Sequence, residues 1–333
     1  MSNSSATLSG SPPGSGKSTT GRNVLAWVLH NVVWIWLVAL VVLFGLFNQF
    51  FFTVFNLQNV MVQATVLGML GLAVALPLMV AEIDLSIPAN LGFSSAIGAL
   101  AYSELGLPWF LAMLVGVGVG TLIGFFNGLC ITKLRMVSLI QTLAMMIILE
   151  GALLAITQGR TITNLSDGYV WIGQATVGGW PIMPVVFIAA IVVVGIMLRR
   201  TVLGRSIYAV GGNATAANSA GIRVDRVKIA AFTIAGCLAG LGGFLLASWQ
   251  MAITSSQGSS YLLYAIAAPI IGGISVFGGR GNVIGVLGGV LLLTVIQVGL
   301  AIVNVPSFYV GMIGGFMIFI AVAIDAIRVR YFG

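Results

Sequence analysis

The stretch PWFLAMLVGVGVGTLIGFFNGLCIT, residues 108–132, followed by Lys133 and Arg135, decides the fold class. It has no charged residue and is longer than the roughly 20 apolar residues that a membrane-spanning helix needs. Glycine recurs at every fourth position from Gly116 to Gly128, which lets a neighbouring helix approach closely in lipid. Because cytoplasmic loops of membrane proteins are rich in Lys and Arg, the two basic residues mark the cytoplasmic end of this span.

The composition of the whole chain indicates the same class. Of its 333 residues, 59% are apolar and only 6% are charged, whereas soluble domains carry about 25% charged residues. Lipid must therefore be the solvent for most of the surface. A net charge of +7 could indicate nucleic-acid binding in a soluble domain, but these charges are scattered over short gaps between apolar runs. We expect membrane lipid, and no nucleic acid, as their partner.

Similar apolar runs predict an all-α membrane protein, a polytopic bundle of about ten transmembrane helices. The predicted spans lie near 27–47, 57–80, 87–104, 108–132, 137–158, 182–199, 227–249, 261–277, 282–304 and 307–327. The outward gaps are then 103–108, 158–181, 250–260 and 303–306, and Arg160 is the one basic residue they contain. All other Lys and Arg residues fall on the opposite side, so we expect cytoplasmic N- and C-termini and a multi-pass protein of the bacterial inner membrane.

The chain divides into two predicted parts. Residues 1–24 are rich in Ser, Gly, Thr and Pro and are expected to form a disordered cytoplasmic tail. Residues 25–333 form the transmembrane domain. The tail contains SPPGSGKST, Ser11–Thr19, which is similar to a phosphate-binding loop but begins with Ser and has no strand before it or helix after it. We therefore expect no nucleotide site there.

Two carboxylates follow a long apolar run that contains Pro77. Glu82 and Asp84 precede Ser86 and Pro88, and Pro88 suits the first turn of a new helix. One interpretation is a capped helix start, with Ser86 as the cap and Asp84 near the positive end of the helix. The other is a broken helix whose polar turn lines a solute path. The residues leave both interpretations open.

Glu150 lies inside the apolar stretch Ile147–Ala155. A carboxylate at the centre of a bilayer costs roughly 2.5–3.5 kcal/mol on insertion scales, and such residues usually face the protein interior or a cavity. Glu150 is therefore a candidate for the solute path, or for a hydrogen bond to a neighbouring helix. It could also be the titrating group of a proton-coupled secondary transporter.

Few residues suit catalysis. The single histidine, His30, stands at the start of the first span, and no Cys, His and carboxylate cluster has the spacing of metal ligands. We expect no catalytic residue, no metal and no cofactor. A membrane-embedded enzyme is the weakest of the hypotheses, because the sequence places no reacting constellation of polar groups on one membrane face.

The longest basic gap, about 199–228, contains a short predicted helix. Asn213 can cap it, Ala214–Ala220 is a run of small helix-compatible residues, and Gly221 can end it in the left-handed conformation. An exposed helix of about two turns is too short to be stable alone in water. It indicates a docking element for the groove of a partner, or otherwise an interfacial loop held by anionic lipid.

Four segments together resemble the permease subunits of bacterial ABC importers for ribose, arabinose, xylose and similar solutes. They cover about residues 35–330 in the order that the family shows. The matching residues are Ile83-Asp-Leu-Ser86; Gly124-Phe-Phe-Asn-Gly128 with Lys133 and Gln141-Thr-Leu143; Gly204-Arg205, Gly212-Asn213, Ala216-Ala217, Ala220-Gly-Ile222 and Lys228; and Gly272-Gly273, Gly278-Gly279, Gly281 and Gly285.

The resemblance implies a transport subunit without catalysis of its own. Two such permeases, identical or related, would form the channel, a periplasmic or lipid-anchored binding protein would deliver the solute, and cytoplasmic ABC ATPases would dock on the coupling loop. The implied coupling residues are Gly212, Asn213, Ala216, Ala217, Ala220 and Gly221. The candidate solute-path residues are Glu82, Asp84, Ser86, Asn127 and Glu150.

Three departures from the family pattern limit what can be transferred. Ala81-Glu82 stands in place of the usual Gly-Gly, and Pro88-Ala89 replaces a Gly-Ser-like pair. Glu150 occupies a position where many relatives have Arg. A changed charge near the expected path predicts a solute or gating contact unlike that of ribose permeases, so no particular sugar is carried over.

Overall fold

The computed structural model describes residues 31–163, 165, 167–306, 309–316 and 319–320. The predicted tail, residues 1–24, and the sequence resembling a phosphate-binding loop lie outside this part of the chain. Within it the protein is built almost wholly of helices, which confirms the predicted all-α class.

Twelve α-helices are bounded within the described residues. In chain order they are α1 (Val32–Phe47), α2 (Val54–Met79), α3 (Ile87–Ser103), α4 (Trp109–Lys133), α5 (Ser138–Thr157), α6 (Asp167–Gln174), α7 (Met183–Arg200), α8 (Val202–Gly212), α9 (Ala214–Ser219), α10 (Val224–Gln250), α11 (Leu262–Ile271) and α12 (Val283–Ile302). Residues 309–316 and 319–320 are also helical.

Six of these helices, α2, α4, α5, α7, α10 and α12, are long and apolar enough to cross a membrane. Helices α1, α3 and α11 stand where further spans are predicted, but they have 16, 17 and 10 residues. The structure therefore supports a multi-pass helical protein. The count of about ten spans and the cytoplasmic position of both termini stay predictions.

The predicted outward gap 158–181 contains more structure than its sequence suggested. Helix α6 begins with Asp167, whose negative charge suits a helix start, and it docks on α10 because Ser248 Oγ accepts a 2.7 Å hydrogen bond from the backbone N–H of Gly173. Strands β1 (Thr176–Val177) and β2 (Trp180–Pro181) pair antiparallel.

Helices α2 and α10 form the buried centre of the bundle, and α4 packs against α10 through small residues. A Cβ atom at Gly120 would lie 2.7 Å from the carbonyl oxygen of Gly236, and one at Gly124 would overlap the carbonyl oxygen of Phe232. The predicted packing role of the four-residue glycine repeat is confirmed for these helices. Gly311 and Gly315 repeat the same four-residue spacing, but no atom of the described residues lies within 4 Å of a Cβ at either position.

This packing leads to a first prediction. Gly120→Val should lower the free energy of unfolding by about 1–3 kcal/mol, because the added side chain must push α4 away from the α10 backbone. Gly118→Val is the matched control, since a Cβ at Gly118 meets no atom of the described residues within 4 Å. Thermal unfolding of the detergent-purified variants measures the difference. Equal melting temperatures would contradict the close-packing role.

The basic loops meet at one end of the bundle, called here the basic end. Lys133, just after the glycine-rich face, pairs with Asp225 at 3.3 Å. Lys228 pairs with Glu82, and Arg199 donates to Asn282 across 3.3 Å. Four gaps far apart in sequence therefore converge, as the charge pattern predicts.

Candidate functional site

The link 80–86 between α2 and α3 lies at the basic end and begins after a proline-terminated helix. The carbonyl oxygen of Pro77 accepts hydrogen bonds from the N–H groups of Val80 and Glu82, at 3.1 and 3.0 Å. Ala81 takes a left-handed conformation, with φ 59°. These features turn the chain sharply and place Asp84 in the interior, where only 3% of its surface is exposed.

The side chain of Asp84 holds Ser86, the residue just before helix α3, and Ser86 does not cap the helix with its own side chain. Asp84 Oδ1 accepts hydrogen bonds from the backbone N–H of Ser86 at 2.9 Å and from its Oγ at 2.6 Å. The predicted cap at Ser86 is wrong: its backbone is already helical, with φ −77° and ψ −13°, and its side chain makes no cap hydrogen bond. A cap residue normally has an extended backbone, which lets its oxygen reach the first free N–H groups.

A buried chain of hydrogen bonds continues from Asp84 and Ser86 into two neighbouring helices. Asn127 Nδ2 of α4 donates to Ser86 Oγ at 2.8 Å, and Gln141 Nε2 of α5 donates to Asn127 Oδ1 at 3.4 Å. The structure therefore brings together three predicted site residues, Asp84, Ser86 and Asn127. Gln141 stands in a segment that matched the family, but the sequence analysis gave it no role.

The backbone of the link is also held by the first turn of α5. Ser138 Oγ accepts from the N–H of Ile83 at 3.3 Å, and Thr142 Oγ1 accepts from the N–H of Leu85 at 3.2 Å. The contacts of Ser138 and Thr142 with the link were not predicted from the sequence. Hydroxyl residues at the start of a helix are common, and the partners of these two are more than fifty residues away.

Asp84 lies in the link, outside the spanning helices, and its electrostatics follow from its burial. Desolvation raises the pKa of the Asp84 carboxyl from 3.8 to about 6, while hydrogen bonds from Ser86 and Asn127 act in the opposite direction. Folding thus makes protonation of Asp84 easier than it is in the unfolded chain. The stability that this group contributes is complete below pH 3.8 and is lost as the pH rises through about 6.

A second prediction concerns this carboxyl group. Asp84→Asn keeps an oxygen that can accept from Ser86, so the purified protein should keep its fold and lose the fall in stability between about pH 4 and 6. Asp84→Ala leaves buried donors without a partner and should cost about 1–3 kcal/mol at every pH. Melting temperatures from pH 4 to 8 test both. An unchanged pH dependence in Asp84→Asn would contradict the assignment.

Glu82 has a different partner. Its carboxylate forms an ion pair with Lys228, in the first turns of α10, and the two side chains are 14% and 21% exposed. The pair joins the link to the helix that follows the long basic gap. Among the described residues, no hydrogen bond connects Glu82 to the Asp84 chain.

The end of α2 also meets two other segments through glycines: the long basic gap at Gly211, and the connection between α11 and α12 at Gly278 and Gly279. The carbonyl oxygen of Met79 accepts a 3.0 Å hydrogen bond from the N–H of Gly279. A Cβ at Gly211 would overlap the same Met79 oxygen, and one at Gly278 would lie 2.8 Å from Ala81. Three segments thus touch through their backbones, and we call this contact the glycine junction.

The short helix predicted in the basic gap is present as α9. Asn213 Oδ1 accepts from the N–H of Ala216 at 2.9 Å, and Gly221 has φ +83°, so both predicted helix ends are confirmed. Ala217 packs inward, whereas the other predicted coupling residues are exposed, namely Gly212, Asn213, Ala216, Ala220 and Gly221. The preceding amphipathic helix α8, which Thr201 caps, was not predicted.

Glu150 lies apart from the Asp84 chain. Its Oε1 accepts a 3.4 Å hydrogen bond from Ser259 Oγ, and the residue is half-buried. The predicted solute-path residues therefore separate into three places: the Asp84 chain, the Glu82 ion pair and Glu150. Within the described residues, no group of three or more His, Cys, Asp and Glu side chains could hold a metal ion.

Comparison with known proteins identifies related chains. Residues 56–322 match the family described as branched-chain amino acid transport system / permease component. The chain is 36% identical over 288 residues to the ribose import permease protein RbsC of Bacillus subtilis. This match covers 86% of the present chain and 89% of the relative.

Two further relatives agree. The chain is 33% identical to the ribose import permease protein RbsC of Escherichia coli strain K12, over 93% of this chain and 98% of the relative. It is 34% identical to the L-arabinose ABC transporter permease protein AraH of Azospirillum brasilense, over 84% and 82%. No solved structure matches the chain.

Proposed function

This chain belongs to the family of ABC-importer permease components, and from that premise we propose that it carries a sugar or sugar-like polar solute inward, driven by ATP hydrolysis in a separate subunit. As a permease component it is a transport subunit and not an enzyme. It is a multi-pass protein of the inner membrane. The observation that carries the proposal is the similarity to sugar-import permeases over nearly the whole chain.

The orientation follows from the charges. We place the basic end in the cytoplasm, because Lys and Arg accumulate on that side of membrane proteins. Helix α9 then faces the compartment that holds ATP. A periplasmic or lipid-anchored binding protein would meet the opposite end, where α6 and the β1–β2 hairpin lie.

Helix α9 is the proposed docking site for the ATPase. Its exposed surface consists of small residues, and Asn213 and Gly221 hold it in one conformation. Motion of α9 would reach the membrane domain through Gly211, which contacts Met79 at the glycine junction. The link 80–86 follows directly, and the Asp84 chain ties it to α4 and α5. These contacts connect the proposed docking helix α9 with α4 and α5, the helices that would move to open or close the solute path.

A second permease copy, or a related chain, is the proposed partner within the membrane. Helices α4, α5 and α7 leave most of their apolar surface uncovered, including Leu122, Ile148 and Val193. In a bilayer such surface meets either lipid or another helix.

A reconstituted complex tests the function. The permease is inserted into proteoliposomes with its ATPase and binding-protein partners, and uptake of radiolabelled D-ribose and L-arabinose is followed. We expect uptake of at least one sugar that requires ATP and the binding protein and is unchanged by a protonophore. Uptake without the ATPase that collapses with the proton gradient would refute the proposal. The similarity gives no support to that proton-coupled alternative.

A third prediction tests docking on α9. Gly221→Val places a β-branched residue at φ +83° and should cost about 1–3 kcal/mol of local strain, enough to unfold the end of a six-residue helix. ATPase co-purification and uptake should both fall, while the melting temperature of the permease changes little. Gly179→Val is the control, because it introduces the same left-handed strain, at φ +82°, between β1 and β2, and it should leave ATPase co-purification unchanged. Normal ATPase binding by Gly221→Val would remove the docking role.

A further inference from the structure

The polar segment TSSQGSS, residues 254–260, is not part of an outer surface loop, although its sequence predicts one. Ile253 forms a β-bridge with Ile162, just beyond the end of α5. From there the chain turns into the bundle. A Cβ at Gly92 would overlap the carbonyl oxygen of Gln257, and one at Gly258 would overlap the carbonyl oxygen of Pro88. The segment therefore runs alongside the first turns of α3.

Its depth follows from its contact with α5. Ser259 donates to Glu150, which lies twelve residues after Ser138 and seven before Thr157. At 1.5 Å per residue, Glu150 is about 18 Å from one end of α5 and about 10 Å from the other. Because a 20-residue α5 just crosses a hydrocarbon core of about 30 Å, we place Glu150 and its partner Ser259 within that core.

Non-helical backbone and ionisable side chains at this depth are tolerated only where they are buried in protein or line a water-filled cavity. Gln257 and Gly258 are buried, but the side chains of Thr254, Ser256 and Ser259 are exposed. The exposed members of the segment therefore need water or a polar ligand. The buried Nε2 of Gln257 also has no hydrogen-bond partner among the described residues.

We propose that Glu150 and the hydroxyl groups of residues 254–260 line the solute path and bind a neutral, polyhydroxylated solute. The inference rests on the proposed function and names the binding groups within it. Carboxylate oxygens accept hydrogen bonds from solute hydroxyls, and Ser and Thr hydroxyls both donate and accept. Glu150 has no basic partner in the described part of the chain, so an anionic solute would be repelled.

Cysteine accessibility tests the location of the site independently of transport. In a background with Cys130 and Cys237 replaced by Ala, Ser256→Cys and Ser259→Cys are treated in vesicles with a hydrophilic methanethiosulfonate. Both should react at least about tenfold faster than Ile148→Cys on the exposed apolar face of α5, because only a hydrated thiol forms the reactive thiolate. Reaction of the two serine positions as slow as that of Ile148→Cys would overturn the inference.

Solute uptake by the full complex tests whether the carboxylate of Glu150 binds the solute. Glu150→Gln should lower ATP-driven sugar uptake about tenfold, through loss of charged hydrogen bonds, while ATP hydrolysis stimulated by the binding protein continues. Glu104→Gln, an exposed carboxylate in an outer gap, is the control. Unchanged uptake in Glu150→Gln would refute the site and leave the importer function intact. Absence of ATP-driven uptake in the unmodified complex would refute the importer function instead, and with it any solute role for Glu150.

Discussion

Replacing Gly211 by alanine is expected to abolish most ATP-driven uptake, the largest effect of any single change considered. A methyl group there would overlap the carbonyl oxygen of Met79, so α8 and α9 must move away from the end of α2. Overpacking of this kind typically costs about 1–3 kcal/mol. The ATPase could still dock on α9, but its motion would no longer reach the link 80–86.

A glycine in open space provides the control. A Cβ at Gly118 of α4 meets no described atom within 4 Å, so Gly118→Ala should transport at nearly the normal rate. The decisive measurement is sugar uptake beside ATP hydrolysis in the same proteoliposomes. Gly211→Ala should hydrolyse ATP without matching uptake. If it transports as well as Gly118→Ala, the glycine junction does not transmit the motion.

The second large effect is expected from charge reversal at Glu82. Glu82→Lys places two positive charges where the structure has a mostly buried ion pair with Lys228, and uptake should fall about tenfold or more. The exchange variant Glu82→Lys with Lys228→Glu restores the attraction and should recover much of the activity. A double-mutant cycle on melting stability should give a coupling energy of about 1–3 kcal/mol.

The exposed pair Lys133–Asp225 is the matched comparison. Its side chains are 61% and 32% exposed, and exposed pairs contribute about 0–1 kcal/mol. Charge reversal at Lys133 should therefore change uptake and stability little. If reversal at Glu82 is equally mild, the pair with Lys228 is not a mechanical connection between the link and α10.

Much of the architecture could be predicted because it depends on local chemistry. Apolar length specifies a span, so the positions of α2, α4, α5, α7, α10 and α12 were close to those predicted. The cap at Asn213 and the left-handed Gly221 were also predictable, since both act within one or two turns of their own helix. The motifs that carry the family resemblance are also short runs of residues that are close in sequence.

The candidate site was predicted less well, because its members are joined across long separations in sequence. Ser86 was predicted to cap α3, but its hydroxyl bonds Asp84 and Asn127 instead, and these contacts depend on the backbone angles of Ser86 and on the approach of another helix. The pairing of Glu82 with Lys228 spans 146 residues. Residues 254–260 have the polarity of a surface loop, so their contact with the first turns of α3 could not be recognised from composition.

Hydrophobicity and charge along the chain determined by themselves that this protein is a helical, multi-pass membrane protein and predicted that its basic loops share one side, because transfer into lipid depends on each segment separately. Only the tertiary structure decided which polar groups meet. Gly211 against Met79, Glu82 with Lys228 and Glu150 with Ser259 exist because helices distant in sequence pack side by side. In a medium without water, each buried polar group must find its partner on such a neighbour or face a hydrated path.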